Sequence, residues 1–389
     1  MDPKAFSDNS PGQVLRVPEA DYWAFVPHPL PPVPDWTPAL AAQLSEADRA
    51  LGELAGLGRL LPNPHILIAP FMHREAVLSS QIEGTRASLS DLYAYEAHEA
   101  VQAPGFGGPS DVREVRNYIL ALEHGLERLS TLPLSLHLIR ELHAHLMEDV
   151  RGEERTPGEF RRSQNWIGPP GCTLSQATYV PPPPEHLPES LHAFEDYLHT
   201  DSSSPPLVRL ALIHYQFEAI HPFLDGNGRV GRLLITLLLC AWKLLPETLL
   251  YLCAFFEANR REYYDGLLAV SKRGAWEEWL LFFLQGVTEQ SRDAVLRAGR
   301  LQEIHEAYHG YFQSKHAAAR LLQVVDLLFY SPIVTVPYVA QRLEVSYVSA
   351  NRYVSTLEEH EILREITGRS RNRVYQADHI IHVINAPVS

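Results

Sequence analysis

The peptide HPFLDGNGRVGR, residues 221–232, lies between two apolar runs, LVRLALIHYQFEAI and LLITLLLCAWKLL. Both runs have a helical pattern, so the twelve residues read as a tight loop between two buried helices, with Gly226, Asn227 and Gly228 opening the second. The first turn of a helix carries unsatisfied N–H groups and the positive end of the dipole, and glycine lets a phosphate approach the backbone. Arg229 and Arg232 are three apart and share one face of the new helix. Two guanidiniums there suit a di- or triphosphate. Asp225, just outside the glycines, is placed to hold a magnesium ion through water. His221 is the only nearby group that titrates near neutral pH, which makes it the candidate general base. Singly, each has an ordinary reading: a histidine at a helix end, a common turn, solvated arginines. Together they converge on one phosphate-binding task.

HPFLDGNGRVGR resembles the signature of the Fic family, His-x-Phe-x-Asp/Glu-Gly-Asn-Gly-Arg-x-x-Arg, with every defined position filled. The resemblance implies transfer of AMP from ATP to a hydroxyl of a target protein. It implies that His221 deprotonates that hydroxyl and that Asp225 holds Mg2+. It further places the phosphates on Asn227 and the amides of Gly226 and Gly228, the β and γ groups on Arg229 and Arg232, and Phe223 in the core as the anchor of the loop.

At 389 residues, two or three domains are expected. Apolar content of 46% and charged content of 21% describe an ordinary soluble globular chain. A net charge of −14 argues against bulk electrostatic attraction to nucleic acid, though not against a local basic surface. Cys172, Cys240 and Cys253 are too few and too scattered for a disulfide framework or a zinc site; they read as reduced thiols. The N-terminus lacks the pattern of a secretion signal, and the apolar run from Leu233 to Trp242 is too short to span a bilayer, so a cytoplasmic protein is expected.

In chain order, residues 1–36 read as loosely structured, with VPHPLPPVPDW as a proline-rich strap that brings Trp23, Phe25 and Trp36 to cover on the chain's own surface. A helix is expected over 37–61, capped by Thr37 and stopped at Leu61-Pro62-Asn63-Pro64. Further on, Ser79 and Glu83 are four apart on one helical face, and Gly84 ends or bends that helix. Alone, these are a helix-terminal serine and a solvated glutamate. However, Ser79-x-x-x-Glu83-Gly84 resembles the inhibitory motif of self-inhibited Fic proteins. That resemblance implies that Glu83 pairs with Arg232 and takes the space of the γ-phosphate, because a carboxylate opposite an arginine makes a strong bidentate pair.

Residues 101–110 read as a flexible Gly/Pro loop, followed by helices at about 111–129 and 134–150. QNWIG and ATYVP read as two short strands joined by a Gly-Pro turn. A hairpin at 164–181 resembles the Fic flap, which holds a target segment by strand pairing. Helices at 185–200 and 205–220 lead to the signature, and three more are expected over 259–312, where Tyr263 and Tyr264 are candidates to stack on adenine. From about 318, a helix, two short helices with a turn and a wing, LREITGRSRNRVYQ, resemble a winged helix with Ser346–Glu358 as the recognition-type helix. Four arginines and one glutamate between Leu363 and Tyr375 make the wing basic, so DNA contact and protein–protein or dimer contact stand as alternatives.

The expected fold is mainly α-helical: an N-terminal region (1–110) with the inhibitory helix, a helical Fic core (111–300) with a small β-hairpin flap, and a C-terminal winged-helix module (301–389). The expected function is protein adenylyltransfer from ATP with Mg2+, self-modification included, with a target hydroxyl docked on the flap and a second copy of the chain as a further candidate partner. Removal of AMP, transfer of another phosphate-containing group, and a winged-helix regulator that senses nucleotide are the rival readings. An intact His221 counts against the last, because binding alone needs no base.

Overall fold

The computed structural model describes residues 1–18, 21–30, 36–60, 65–99, 110–150, 155–200, 204–315 and 317–386. In chain order, β1 (Gly12–Val17) and β2 (Tyr22–Pro27) precede α1 (Pro38–Leu60), α2 (His65–Ile82), α3 (Leu89–Glu99), α4 (Ser110–Leu129) and α5 (Leu136–Leu146). Then come α6 (Leu187–His199), α7 (Pro206–Ile220), α8 (Asn227–Ala241), α9 (Cys253–Ala258), α10 (Arg260–Arg273) and α11 (Trp276–Ser314). The last part holds α12 (Ala319–Tyr330), β3 (Ile333–Val334), α13 (Val336–Arg342), α14 (Tyr347–Glu359), β4 (Arg364–Glu365), β5 (Tyr375–Gln376) and α15 (Asp378–Asn385). The architecture is mainly α, and among the described residues no helix is long and apolar enough to cross a membrane. Two compact units form: Met1–Gly52, Leu120–Leu244 and Leu252–Gln290 make the first, and Glu53–Ile119, Leu245–Tyr251 and Ser291–Ser389 the second.

In the first unit α7 and α8 are the central pair. Both are apolar nearly all round and buried along almost their full length, as a helix with no polar face must be. Each buried Leu, Ile or Phe contributes roughly 1.5–3 kcal/mol, so this hairpin is a rigid base for the loop between its helices. α6 and α10 cover α7, and α5 covers α8.

The N-terminus is not loosely structured. β1 and β2 pair antiparallel, from Gly12 opposite Pro27 to Val17 opposite Tyr22. VLRV and YWAFV are rich in β-branched and aromatic residues and are separated by only four residues, PEAD, which favours antiparallel pairing. Tyr22, Ala24 and Phe25 share a core cluster with Ala177, Tyr179 and Val180. Phe25 is therefore buried as expected, but Trp36 is half-exposed at 50%. Residues 31–35 of the proline-rich strap, the stop at 61–64 and most of the 101–110 loop lie outside the described residues.

Two further expectations change. Residues 276–314 form one helix, so 259–312 holds two helices rather than three. Gly286, within α11, lets the helix close on Phe255: a Cβ there would stand 2.7 Å from that ring. The flap pairs through a single antiparallel bridge, Ile167 with Tyr179, with a 3-10 turn at Leu174–Gln176. Gly168, Pro169 and Pro170 follow Ile167, and the prolines bring no N–H to extend a ladder.

In the second unit α2 packs on α12 and α15, and α3 on β3. α13 and α14 pack as a helix–turn–helix, capped by the side chains of Thr335 and Ser346. β4 and β5 form the expected wing, and β3 adds a third strand in the order β3-β5-β4. The module is a winged helix, with α14 in the expected place of the recognition helix.

Candidate functional site

The loop between α7 and α8 is built on backbone that a random chain would rarely adopt. His221 caps α7 in the left-handed region, at φ 49° and ψ 62°. For a non-glycine residue this stores of order 1–3 kcal/mol and persists only when surroundings hold it. Arg161 and Asn165 supply the hold. Arg161 Nε donates to the His221 carbonyl at 2.9 Å, and Asn165 Nδ2 donates to it at 3.2 Å. Arg161 also donates through Nη2 to the Pro182 carbonyl at 2.6 Å, so one guanidinium ties the end of the flap to the loop. Burial lowers its pKa to about 10, which leaves it charged at neutral pH.

Phe223 is the anchor expected of it, fully buried and stacked on His143 with centroids 3.8 Å apart and planes within 3°. Asn227 closes the loop across Phe223. Its Oδ1 accepts from Phe223 N–H at 2.8 Å, and its Nδ2 donates to Phe223 C=O at 2.8 Å. Both ends of the carboxamide are therefore engaged by the loop itself, and the side chain shapes the loop; an anion would meet the backbone of Asn227 instead. Gly226 caps α8 at φ 76°, and a Cβ there would stand 3.0 Å from Met147 Sδ, so both conformation and space require glycine.

His143 braces the loop from α5. A backbone N–H can only donate, so the 2.8 Å bond from Gly158 N–H makes Nδ1 the acceptor. Nε2 then carries the proton and donates to the Asp225 carbonyl at 3.1 Å. Burial pushes the pKa of His143 down to about 4, which fixes it as a neutral strut. The Asp225 carboxylate accepts from Gly226 N–H at 2.7 Å, and its other oxygen lies 3.4 Å from Arg155. At 38% side-chain exposure, with its rotamer pinned by Gly226, this carboxylate fits a magnesium ion that takes one protein carboxylate and completes its shell with water and phosphate.

At the opening of α8 there is no side-chain cap, and Val230 is the first residue to bond back, to the Gly226 carbonyl at 3.1 Å. Among the described residues no protein group caps the N–H groups of Asn227 and Gly228, so the first turn offers donors and a positive dipole end to an anion. Arg229 and Arg232 stand three apart on that helix and are both buried. Arg229 reaches Met147 Sδ at 3.4 Å. Arg232, at 2% exposure, stands beside the Tyr263 hydroxyl, where its charge opposes the rise that burial imposes on the phenol's pKa. The Tyr263 hydroxyl is 2.8 Å from His214 Nε2, and His214 Nδ1 is 3.2 Å from the Gly231 carbonyl. A carbonyl only accepts, so Nδ1 holds the proton of His214 and Nε2 accepts from Tyr263. Burial first, then the nearby Arg232 charge, holds the His214 pKa near 3. Arg232, Tyr263 and His214 thus form one buried cluster, in which Tyr263 and His214 are hydrogen-bonded.

That cluster corrects the reading of Tyr263 as an adenine platform. Its ring is 1% exposed and packed on Phe256, at 4.5 Å, and on Trp279. Tyr264 is the exposed member of the pair, at 41%. His221 Nδ1 lies 3.3 Å from the Glu218 carbonyl and 4.0 Å from its carboxylate. A proton on Nδ1, donated to that carbonyl, leaves Nε2 as the basic nitrogen. Arg161, Asn165 and His143 act from tens of residues away, and His214 from seventeen, through backbone carbonyls, which leave no local motif for sequence reasoning to find.

Ser79, Glu83 and Gly84 lie in the second unit, at the end of α2. Gly84 N–H bonds to the Gln81 carbonyl at 2.9 Å and Thr85 N–H to the Ser80 carbonyl at 3.1 Å, with Gly84 at φ 95°. This is a Schellman termination with Glu83 as C-cap. Ser79 is buried and Glu83 exposed. Thr85 Oγ1 donates to Glu114 at 2.9 Å, which fastens the turn to α4. A carboxylate at a helix C-terminus opposes the dipole by about 0.3–1 kcal/mol, so Glu83 stands there against local preference.

A loop of this form, with uncapped N–H groups at the N-terminus of α8, has the geometry of an anion cradle. Residues 133–239 match the Fic/DOC family, and residues 41–127 match the Fic/DOC family N-terminal region. Residues 41–239 accordingly belong to the Fic/DOC family, and the chain is a Fic family protein. Residues 321–376 match a family described as an HTH DNA binding domain. The chain is 36% identical over 130 residues to the protein adenylyltransferase Fic of Drosophila willistoni, covering 32% of this chain and 24% of that protein. It is 35% identical over 189 residues to the protein adenylyltransferase Fic of Drosophila grimshawi, covering 47% and 35% respectively. The match thus spans a quarter to a third of these relatives. A crystal structure of a Fic family protein from Desulfovibrio desulfuricans G20 shares the fold, with TM-score 0.57 and 22% identity over 90% of this chain and 98% of that one.

Proposed function

We propose that the chain transfers AMP from ATP to a serine, threonine or tyrosine hydroxyl of a protein. The observation that carries this reading is the basic Nε2 of His221 beside the uncapped N–H groups of α8. In the reaction His221 Nε2 takes the hydroxyl proton and the oxygen attacks the α-phosphorus. The bond from that phosphorus to the bridging oxygen breaks, and pyrophosphate leaves. The N–H groups of Asn227 and Gly228 and the cations Arg229 and Arg232 hold the phosphates and offset charge in place, without reorganisation. Mg2+ held by Asp225 would add neutralisation of the phosphate oxygens. Tyr264 offers an exposed ring for the adenine, and the 164–181 flap offers backbone for a target segment, which fits a preference set by position more than by side chain.

Glu83 restrains the reaction by pairing with Arg232. Its support is the Ser79–Glu83–Gly84 motif and the placement of a carboxylate where the helix end disfavours it. Such a charged pair is worth about 1.5–3 kcal/mol, so Glu83→Gly is expected to raise transfer roughly ten- to a hundredfold. The test uses ATP labelled at the α-phosphate with Mg2+, comparing the parent, Glu83→Gly and Glu83→Gly/His221→Ala. Label that appears with the first substitution and disappears with the second is the expected result. Equal labelling of parent and Glu83→Gly across ATP concentrations would remove the inhibitory role, and labelling that survives His221→Ala would remove the base.

A second reading concerns the winged helix alone. Arg369, Arg371 and Arg373 are exposed on the wing, and Asn351 and Arg352 on α14, which fits phosphate and groove contact with DNA. Duplex binding whose salt dependence stays the same in Arg369→Ala/Arg371→Ala would refute it.

A further inference from the structure

His305 and His309 are four residues apart on α11, and Asp326 lies on α12. Each imidazole Nε2 is 2.7 Å from the same oxygen, Asp326 Oδ1. The two rings are 4.3 Å apart and inclined at 32°. Phe329 meets His305 edge-on at 5.0 Å, so one wall of the cluster is apolar. The histidine side chains are 22% exposed and the aspartate 42%, so an ion has an entry path. None of these residues takes part in the loop, the flap or the turn at Glu83.

We propose that His305, His309 and Asp326 form a site for a divalent transition-metal ion of the zinc class. Two imidazoles at helical i, i+4 spacing with a carboxylate from a facing helix supply two nitrogens and one oxygen, the donor set that zinc takes at about 2.0–2.2 Å. Around a tetrahedral ion at those distances, neighbouring donor atoms stand about 3.3 Å apart. The two 2.7 Å separations from Asp326 Oδ1 therefore need to open by about half an ångström, and the donor atoms, which all lie within 4.8 Å of one another, need side-chain rotation to settle to that common spacing. Imidazole donors disfavour magnesium and calcium, which take oxygen. Three protein ligands leave a coordination position for water. Ligation through Nε2 takes the place of the two hydrogen bonds to Asp326 Oδ1, each neutral imidazole then carrying its single proton on Nδ1, and the ion clamps α12, the first helix of the winged helix, to α11. In its absence the hydrogen bonds keep the cluster assembled, so the fold does not depend on the ion.

The test titrates the full chain, stripped with chelator and free of nucleotide, with Zn2+ and with Co2+ alone. Heat of binding is read for Zn2+ and visible absorption for Co2+. One equivalent should bind, with Co2+ bands typical of a four-coordinate nitrogen and oxygen site. His309→Ala and Asp326→Asn should each weaken binding at least about a hundredfold, more than loss of an outer partner. His137→Ala and His192→Ala remove surface histidines that also stand beside carboxylates, at 3.0 Å and 3.5 Å, and should change nothing. Asp225→Ala should likewise retain the ion, which separates this site from the loop. His309→Gln keeps a side-chain N–H donor and serves as the folding control by circular dichroism. Binding without saturation near one equivalent, or equal losses in His137→Ala and His309→Ala, would overturn the site.

Discussion

Replacing Asn227, which is buried at 2% exposure, by alanine should loosen the loop far more than the loss of one hydrogen bond would. The side chain closes a ring with Phe223, through N–H to Oδ1 and Nδ2–H to C=O, both at 2.8 Å. Alanine removes both bonds. The Phe223 carbonyl keeps Asn165 as a donor at 2.7 Å, so its loss is one net hydrogen bond, about 0.5–1.5 kcal/mol. The Phe223 N–H has no such reserve and is buried, and stranding it costs about 1–3 kcal/mol. The sum is about 1.5–4.5 kcal/mol against the closed loop, which converts to roughly a tenfold to two-thousandfold rise in its opening. Hydrogen exchange of the 221–232 peptide, followed by mass spectrometry at constant pH, reads that opening directly and needs no assumption about activity. Asn165→Ala is the comparison: it removes bonds to the His221 and Phe223 carbonyls but strands no N–H, so its effect should be smaller. A folded Asn227→Ala protein whose loop exchanges at the parental rate, or faster loop exchange in Asn165→Ala than in Asn227→Ala, would refute the reasoning.

Two further outcomes follow from the buried histidines. His143 has its pKa depressed from 6.5 to about 4 by burial, so its contribution is complete above pH 6.5 and is lost as pH falls towards 4, where the unfolded chain takes up a proton that the folded one refuses. The window corresponds to about 3 kcal/mol, and urea unfolding at pH 7, 5.5 and 4 should show a shallower pH slope for His143→Gln than for the parent; an identical slope in both would show that His143 does not titrate this way. Tyr263→Phe removes the hydroxyl between Arg232 and His214 and should lower stability by about 1–3 kcal/mol. In the Glu83→Gly background it should raise KM for ATP more than it lowers kcat, because a displaced Arg232 weakens binding before chemistry; unchanged melting and unchanged KM would place Arg232 independently of Tyr263.

The sequence by itself determined what local grammar encodes. HPFLDGNGRVGR between two apolar runs specifies a loop at a helix N-terminus, because glycine, asparagine and helical periodicity act over a few residues. The C-terminal order of helix, two short helices and basic wing was legible for the same reason, as was the end of α2 at Gly84, whose φ of 95° only glycine adopts without strain. Tertiary structure decided everything that depends on a partner distant in the chain. It drew Arg161 and Asn165 onto the His221 carbonyl, set His143 under Phe223, and assigned Asn227 to the loop backbone. It buried Tyr263 as the link between Arg232 and His214, although its neighbour Tyr264, with the same side chain, stays exposed. It also brought His305 and His309 against Asp326, and paired the N-terminal strands beneath the flap. Backbone carbonyls and packed rings are present in every residue sequence and carry no signature of which side chain will find them, so these assignments exist only once the chain has closed on itself.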